Sequence, residues 1–268
     1  MNFRYFRYFL GAIISIPLLP LLYFQGKNIR KRIPKLPEAK NPEGSVNTHF
    51  NETLHLLTIG ESTIAGVGVD FHQNGFTGAL AETLSNRLKK HIQWKVYAKS
   101  GYTVKHVCTK IIPKIKERSF DMIVIGMGGN DAFTLNSPKK WISDIDRLVH
   151  LLQINYPATP IFFTNMPPIK EFPAFTKSIQ FVIGNLVEIL GKELQNFTKN
   201  KEAVFYFNEI ITLEKWSKKN SLSSDNASIY FSDGMHPSEL TYRIWGEEMG
   251  NFIYEKFVRK ERKQKIPS

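Results

Sequence analysis

Cysteine is almost absent from this 268-residue chain. The only one is Cys108, which excludes an internal disulfide framework and any zinc site built on thiolates. Standing alone, Cys108 reads as a small buried hydrophobe. Two glycine signatures are missing as well. No Gly-x-x-x-x-Gly-Lys-Ser/Thr phosphate loop occurs, and a Gly-x-Ser-x-Gly elbow around Ser62 would need glycine where Ile64 stands. His55, His72, His91, His106 and His150 show no ligand spacing, so neither a metal nor a cofactor is implied.

Net charge is also missing where a nucleic-acid groove would need it. The formal charge is +12, but residues 1–40 hold eight Lys/Arg against one acid and residues 256–268 hold six against one, leaving 22 of each sign between them. Two basic tails therefore flank a neutral domain. That pattern fits attraction to an anionic membrane surface better than nucleic-acid binding, with a solvated, functionless C-terminal tail as the alternative.

Long apolar runs are confined to one place. From Tyr8 to Gly26 the chain has 19 residues without a charge, FLGAIISIPLLPLLYF among them, with Arg4 and Arg7 before and GKNIRKR after. This length just spans a bilayer core. Tyr5, Phe6, Tyr8, Tyr23 and Phe24 sit where interfacial aromatics sit, whereas Pro17 and Pro20 would kink the helix. An uncleaved single-pass anchor is expected, with the basic flank favouring a cytoplasmic domain. The alternative is a cleaved signal and export, although no small-x-small cleavage pattern precedes Gln25. Residues 1–32 are read as the anchor with its flanks, and 33–50, with Pro34, Pro37, Pro42 and Gly44, as a linker.

Beyond the linker, apolar runs alternate with helical patterns. LHLLTIG (54–60), IQWKVYA (92–98), FDMIVIGMG (120–128), TPIFFTNM (159–166) and AVFYFN (203–208) read as strands buried on both faces. Apolar residues at three- and four-residue spacing mark helices in FTGALAETLSNRLKK, VKHVCTKIIPKIKE, KKWISDIDRLVHLLQIN and FTKSIQFVIGNLVEILGKELQNFTK, and a last helix starts near Ser238. Such alternation predicts an α/β fold with a parallel sheet covered on both sides, whose ligands bind beyond the carboxyl ends of the strands.

Four loops answer at that end. Gly60-Glu61-Ser62 follows the first strand, Lys99-Ser100-Gly101-Tyr102 the second and Gly128-Gly129-Asn130-Asp131 the third, while Asp233-Gly234-Met235-His236-Pro237 precedes the last helix. A serine needs a base to become a nucleophile, and a histidine needs a carboxylate to hold its tautomer. Asp233 and His236 are close enough in sequence to meet locally. Gly101 can bring its backbone N–H near an oxyanion, and Asn130 can offer a side-chain amide. Singly, Ser62, Asn130 or Asp131 could cap a helix and Gly101 could serve a turn; together they supply nucleophile, base, orienter and oxyanion donors.

These four blocks, in this order, resemble the SGNH, or GDSL-type, esterases and lipases. The resemblance runs from Leu54 to Lys256 and implies a flavodoxin-like three-layer αβα sandwich with a central, mostly parallel five-stranded sheet, here preceded by the N-terminal hydrophobic helix. Its catalytic domain would occupy 51–257, with 258–268 a basic tail. By carry-over Ser62 is the nucleophile, His236 the base and Asp233 its orienter. The N–H groups of Ser62 and Gly101 and the side chain of Asn130 form the oxyanion hole. The family usually has Asp before the serine; this chain has Glu61, expected to change local hydrogen bonding without removing activity. The expected substrate is a small-molecule or lipid ester, with no nucleic-acid partner. NMPPIKEFPAF (165–175) could wall an acyl pocket or simply be a packed surface loop. A catalytically idle module that binds lipid or glycan at a membrane is the alternative function.

Overall fold

The computed structural model describes residues 16–220 and 227–264. The strands are β1 (Glu43–Val46), β2 (Thr53–Gly60), β3 (His91–Ala98), β4 (Met122–Gly126), β5 (Ile161–Phe163) and β6 (Val204–Tyr206), in the order β1-β3-β2-β4-β5-β6. Among the described residues the sheet has six strands, one more than the five expected. The extra one is β1, antiparallel to β3 with Glu43 opposite Lys95, while every other pair is parallel. β1 lies inside the stretch expected to be a linker. Its sequence, EGSV, has no apolar run to betray it. The strand is held from outside, because the Trp94 ring covers Gly44 so closely that a side chain there would collide with it. The segment ahead of β1 is fastened too: the Ala39 N–H donates to the Ala65 carbonyl at 2.9 Å and the Lys40 N–H to Asp70 at 2.8 Å.

The central strands are buried on both faces, as their unbroken apolar runs require. Leu56, Leu57 and Ile59 of β2 and Met122 through Ile125 of β4 are wholly inaccessible. The main helices are α1 (Leu19–Arg32), α2 (Phe76–Leu88), α3 (Gly129–Phe133), α4 (Pro138–Asn155), α5 (Lys177–Lys199), α6 (Leu213–Asn220) and α7 (Glu239–Gln264). From β2 the chain crosses leftward to β3 through α2, whereas every later crossover runs rightward. Right-handed crossovers then put α2 on one face and α4 and α5 on the other. α7 joins α2, where a Cβ on Gly246 would lie 2.6 Å from Ala79 Cβ, so only glycine admits so close an approach. The three layers are those of the expected sandwich.

Two helical expectations are modified. VKHVCTKIIPKIKE is not one helix: a single turn at Val104–His106 widens into a π-helical segment at Val107–Ile111 and tightens into a 3-10 turn at Ile112–Lys114. Pro113, which has no N–H, keeps the α-helical ladder from continuing. At the C-terminus, α7 runs to Gln264 and so carries the helical backbone into the stretch expected as a tail.

The expected membrane span, 8–26, lies partly outside the described residues. Within them, α1 begins with Pro20 in its first turn and ends in a basic sequence, YFQGKNIRKR. No described helix is long and apolar enough to cross a membrane, so a hydrophobic spanning helix is not part of the described fold. The charges of Lys27, Lys31 and Arg32 limit its apolar stretch, and Leu22 and Ile29 pack against the domain core.

Candidate active site

The sheet's winding reverses at β2, and the crevice at such a reversal lies beyond the carboxyl ends of the strands. Ser62 stands two residues past the end of β2, half-buried, on a corner that Gly60 makes possible. A Cβ on Gly60 would lie 2.5 Å from the Gly126 carbonyl of β4. Gly66 and Gly68 then turn the chain with φ of +70° and +110°, values that favour glycine.

Asp233 and His236 form a compact hook. The Asp233 carboxylate accepts the His236 backbone N–H at 2.7 Å and the Met235 N–H at 3.0 Å through Oδ1, and its Oδ2 lies 2.7 Å from His236 Nδ1. An aspartate bonding its own backbone two or three residues on fixes such a turn, and Gly234, with φ of +83°, completes it. Burial alone would raise the Asp233 pKa, but the hydrogen bonds and charge of His236 outweigh it and hold the carboxyl below its ordinary value. An ionised Asp233 accepts only, so Nδ1 carries the proton and the neutral ring keeps Nε2 as its acceptor. The Asp233 side chain is almost sealed while 13% of the His236 side chain stays exposed.

The serine and histidine loops are stitched together. Ser232 Oγ donates to the Gly68 carbonyl at 3.1 Å, and the buried Tyr242 hydroxyl donates to Val67 at 2.8 Å. Ser62 Oγ makes no hydrogen bond to another described residue, and these two hydroxyl-to-carbonyl bonds are what join its loop to the loop of His236.

The second and third blocks meet across the crevice. Asn130 Nδ2 donates to the Tyr102 carbonyl at 3.1 Å, which places that amide beside Gly101. One N–H of the amide remains for another acceptor. Gly101 is exposed, has φ of +81°, and faces open space. Asp131, fully buried, supports the same loop by accepting the Val104 N–H at 3.0 Å and Asn136 Nδ2 at 2.9 Å. Burial pushes its pKa up to about 6, partly offset by those two donors.

Glu61 has a role that its position in the sequence only hinted at. Its buried carboxylate accepts the Gly129 N–H at 2.8 Å and the Asn130 N–H at 2.9 Å, one on each oxygen. Burial raises its pKa to about 7, the two N–H groups acting in the opposite sense. Sequence reasoning missed Glu38 altogether: its carboxylate accepts the Ser100 N–H at 2.7 Å and pairs with Lys99, bracing the loop that carries Gly101. The available signal was that Glu38 is the lone acid among the first 40 residues. Of the loop 165–175, Met166 through Ile169 line a cavity of about 180 Å³ with Tyr206 and Ile210 at the ends of β5 and β6. Pro167 separates that cavity from Gly129, against which it packs.

The fold is similar to that of several solved esterases and lipases. A family 3 carbohydrate esterase from Clostridium thermocellum superposes with a TM-score of 0.56 at 16% identity, covering 80% of this chain and 99% of that one. A member of the lipolytic protein G-D-S-L family from Veillonella parvula gives 0.54 at 14% identity over 72% and 93%. An extracellular lipase from Streptomyces rimosus gives 0.52 at 14% identity over 74% and 98%. At these identities the likeness speaks for the fold. Among curated protein sequences none matches. The GDSL-like lipase/acylhydrolase model, however, matches residues 56–249, from β2 into α7 and across all four loops. The chain therefore belongs to the GDSL-like lipase/acylhydrolase family and is an ester hydrolase.

Proposed function

We propose that the chain is a serine esterase that cleaves carboxylic esters through an acyl-enzyme on Ser62. The observation that carries this reading is the Asp233–His236 pair at 2.7 Å, tied to the Ser62 loop through Gly68 and Val67. In the proposed reaction His236 Nε2 takes the proton of Ser62 Oγ as the oxygen attacks the ester carbonyl, and Asp233 stabilises the resulting imidazolium. The N–H groups of Ser62 and Gly101 and the free N–H of the Asn130 amide receive the negative oxygen. Collapse of the tetrahedral intermediate expels the alcohol with the proton from His236. Water then repeats the sequence and frees the acid and the serine.

A fluorophosphonate probe tests the reading. Peptide mapping should find the adduct on Ser62 of the folded protein; no adduct there would turn preference to the idle binding module. The substrate is proposed to be a lipophilic ester, with short-chain esters, lysophospholipids and acetylated glycans as the panel that discriminates. The basic, apolar N-terminal stretch is proposed to hold the enzyme at a membrane with its domain on the cytoplasmic side. Isolation of a mature chain starting near residue 25 would instead mean a cleaved signal and export.

A further inference from the structure

α1 packs Leu22 and Ile29 on the domain but turns other large apolar side chains outward. Leu21, Tyr23 and Phe24 are 46%, 67% and 62% exposed, where a helix packed on a domain normally presents polar groups. One to two turns later Lys27, Lys31 and Arg32 are exposed as well. The helix is docked at a definite place, since Thr176 Oγ, at the N-cap of α5, donates to Gln25 Oε1 at 2.7 Å. Next to that cap, Phe175 meets Phe133 edge-on with ring centroids 5.4 Å apart. Phe133 lies three residues after Asn130 in α3 and is itself partly exposed, and Phe181, just inside α5, is 55% exposed. Exposed apolar groups from α1, α3 and α5 therefore gather beside the crevice, with a basic rim supplied by α1.

We infer that this surface docks on an anionic phospholipid bilayer, so that the Ser62 crevice opens at the membrane and draws amphiphilic acyl esters from it. The charge pattern favours lipid over a protein partner: the basicity of residues 1–40 stands against a neutral 41–255, and lysines beside exposed aromatics match headgroup phosphates above acyl chains. The docking needs no spanning helix. The statement about substrate rests on the esterase reading; the docking itself does not.

The test places reporters on the full-length protein, whose own tryptophans, Trp94, Trp141, Trp216 and Trp245, are all buried. Phe24→Trp and Phe181→Trp report the proposed face. Ile154→Trp is the control, because Ile154 is exposed in the last turn of α4, and a helix following a parallel strand ends at the opposite edge of the sheet. With vesicles of phosphatidylcholine and phosphatidylglycerol carrying brominated chains, emission of the first two variants should shift to the blue and be quenched, and that of Ile154→Trp should not. An unquenched Phe181→Trp, or equal quenching of all three, overturns the docking. The double variant Phe24→Ser/Phe181→Ser should hydrolyse a soluble acetyl ester at the unmodified rate and a long-chain ester in vesicles at least about tenfold more slowly, the loss expected from removing two apolar contacts. Equal rates on the vesicle ester would overturn the substrate assignment. A chain inactive on both esters would instead refute the esterase reading, and the quenching would still decide the docking.

Discussion

Glu61 grips the backbone of Asn130: its Oε2 accepts the Asn130 N–H at 2.9 Å while Oε1 takes the neighbouring Gly129 N–H at 2.8 Å. The residue before the proposed nucleophile thus positions the proposed oxyanion donor across the gap between β2 and β4. Glu61→Ala would strand two N–H groups, at a cost of about 1–3 kcal/mol each where they are buried. The expected outcome is a melting temperature lower by several degrees and a reduced kcat with KM little changed. Glu61→Asp should recover part of the kcat, because the carboxylate survives with a shorter reach.

The same carboxyl makes stability depend on pH. Its folded pKa, about 7, lies above its ordinary 4.5, so within that window the folded state binds more protons than the unfolded one. Stability linked to Glu61 is then full below pH 4.5 and is lost as pH rises toward 7, by on the order of 3 kcal/mol at most. Melting temperatures measured across this window should fall relative to those of Glu61→Gln. Parallel curves would show that Glu61 is ionised throughout.

Asp233→Asn would leave a side chain of the same shape beside His236 but remove the charge that favours the protonated Nδ1. A kcat lowered by about 10³–10⁴, with the fold retained by circular dichroism, is expected from loss of the correct tautomer. Near-normal turnover would mean that His236 is oriented by something else.

Asn130→Ala should lower kcat by about 10²–10³ and leave KM nearly unchanged, since an oxyanion donor acts mainly in the transition state. Thermal melting separates this from structural loss: the Asn130 backbone still binds Glu61, while the amide's bond to Tyr102 disappears.

Gly68→Ala probes the seam between the serine and histidine loops. A Cβ there would lie 2.5 Å from the Pro237 carbonyl and 2.9 Å from Ser232 Oγ, on a residue with φ of +110°. Destabilisation of about 1–3 kcal/mol, with esterase activity falling further than stability alone explains, is the expected result.

The parallel core was legible because strands buried on both faces must be apolar throughout, and the four loops were legible because the chemistry needs particular side chains at strand ends. β1 was invisible for the opposite reason. Its EGSV sequence carries no pattern, and its pairing is dictated by Trp94 and Lys95 on another strand. Glu61 was noticed as a departure, but which N–H groups it meets depends on the spacing of β2 and β4, which no local sequence encodes. The break-up of the helix after Val104 was signalled by Pro113, whereas its π-helical widening was not.

The strap running from Glu38 to β1 has a practical consequence. Five residues separate the end of α1 from Glu38, and Glu38 holds the Ser100 N–H next to Gly101. A soluble fragment beginning at Asn41 would keep β1 but discard Glu38 and the backbone bonds of Ala39 and Lys40. Trimming the chain for solubility would therefore loosen the active-site rim, and a fragment beginning just after Arg32 would free the enzyme from its N-terminal helix while sparing that brace. Conversely, any pull on the N-terminal helix would arrive within a few residues at the loop that carries Gly101, the proposed oxyanion donor.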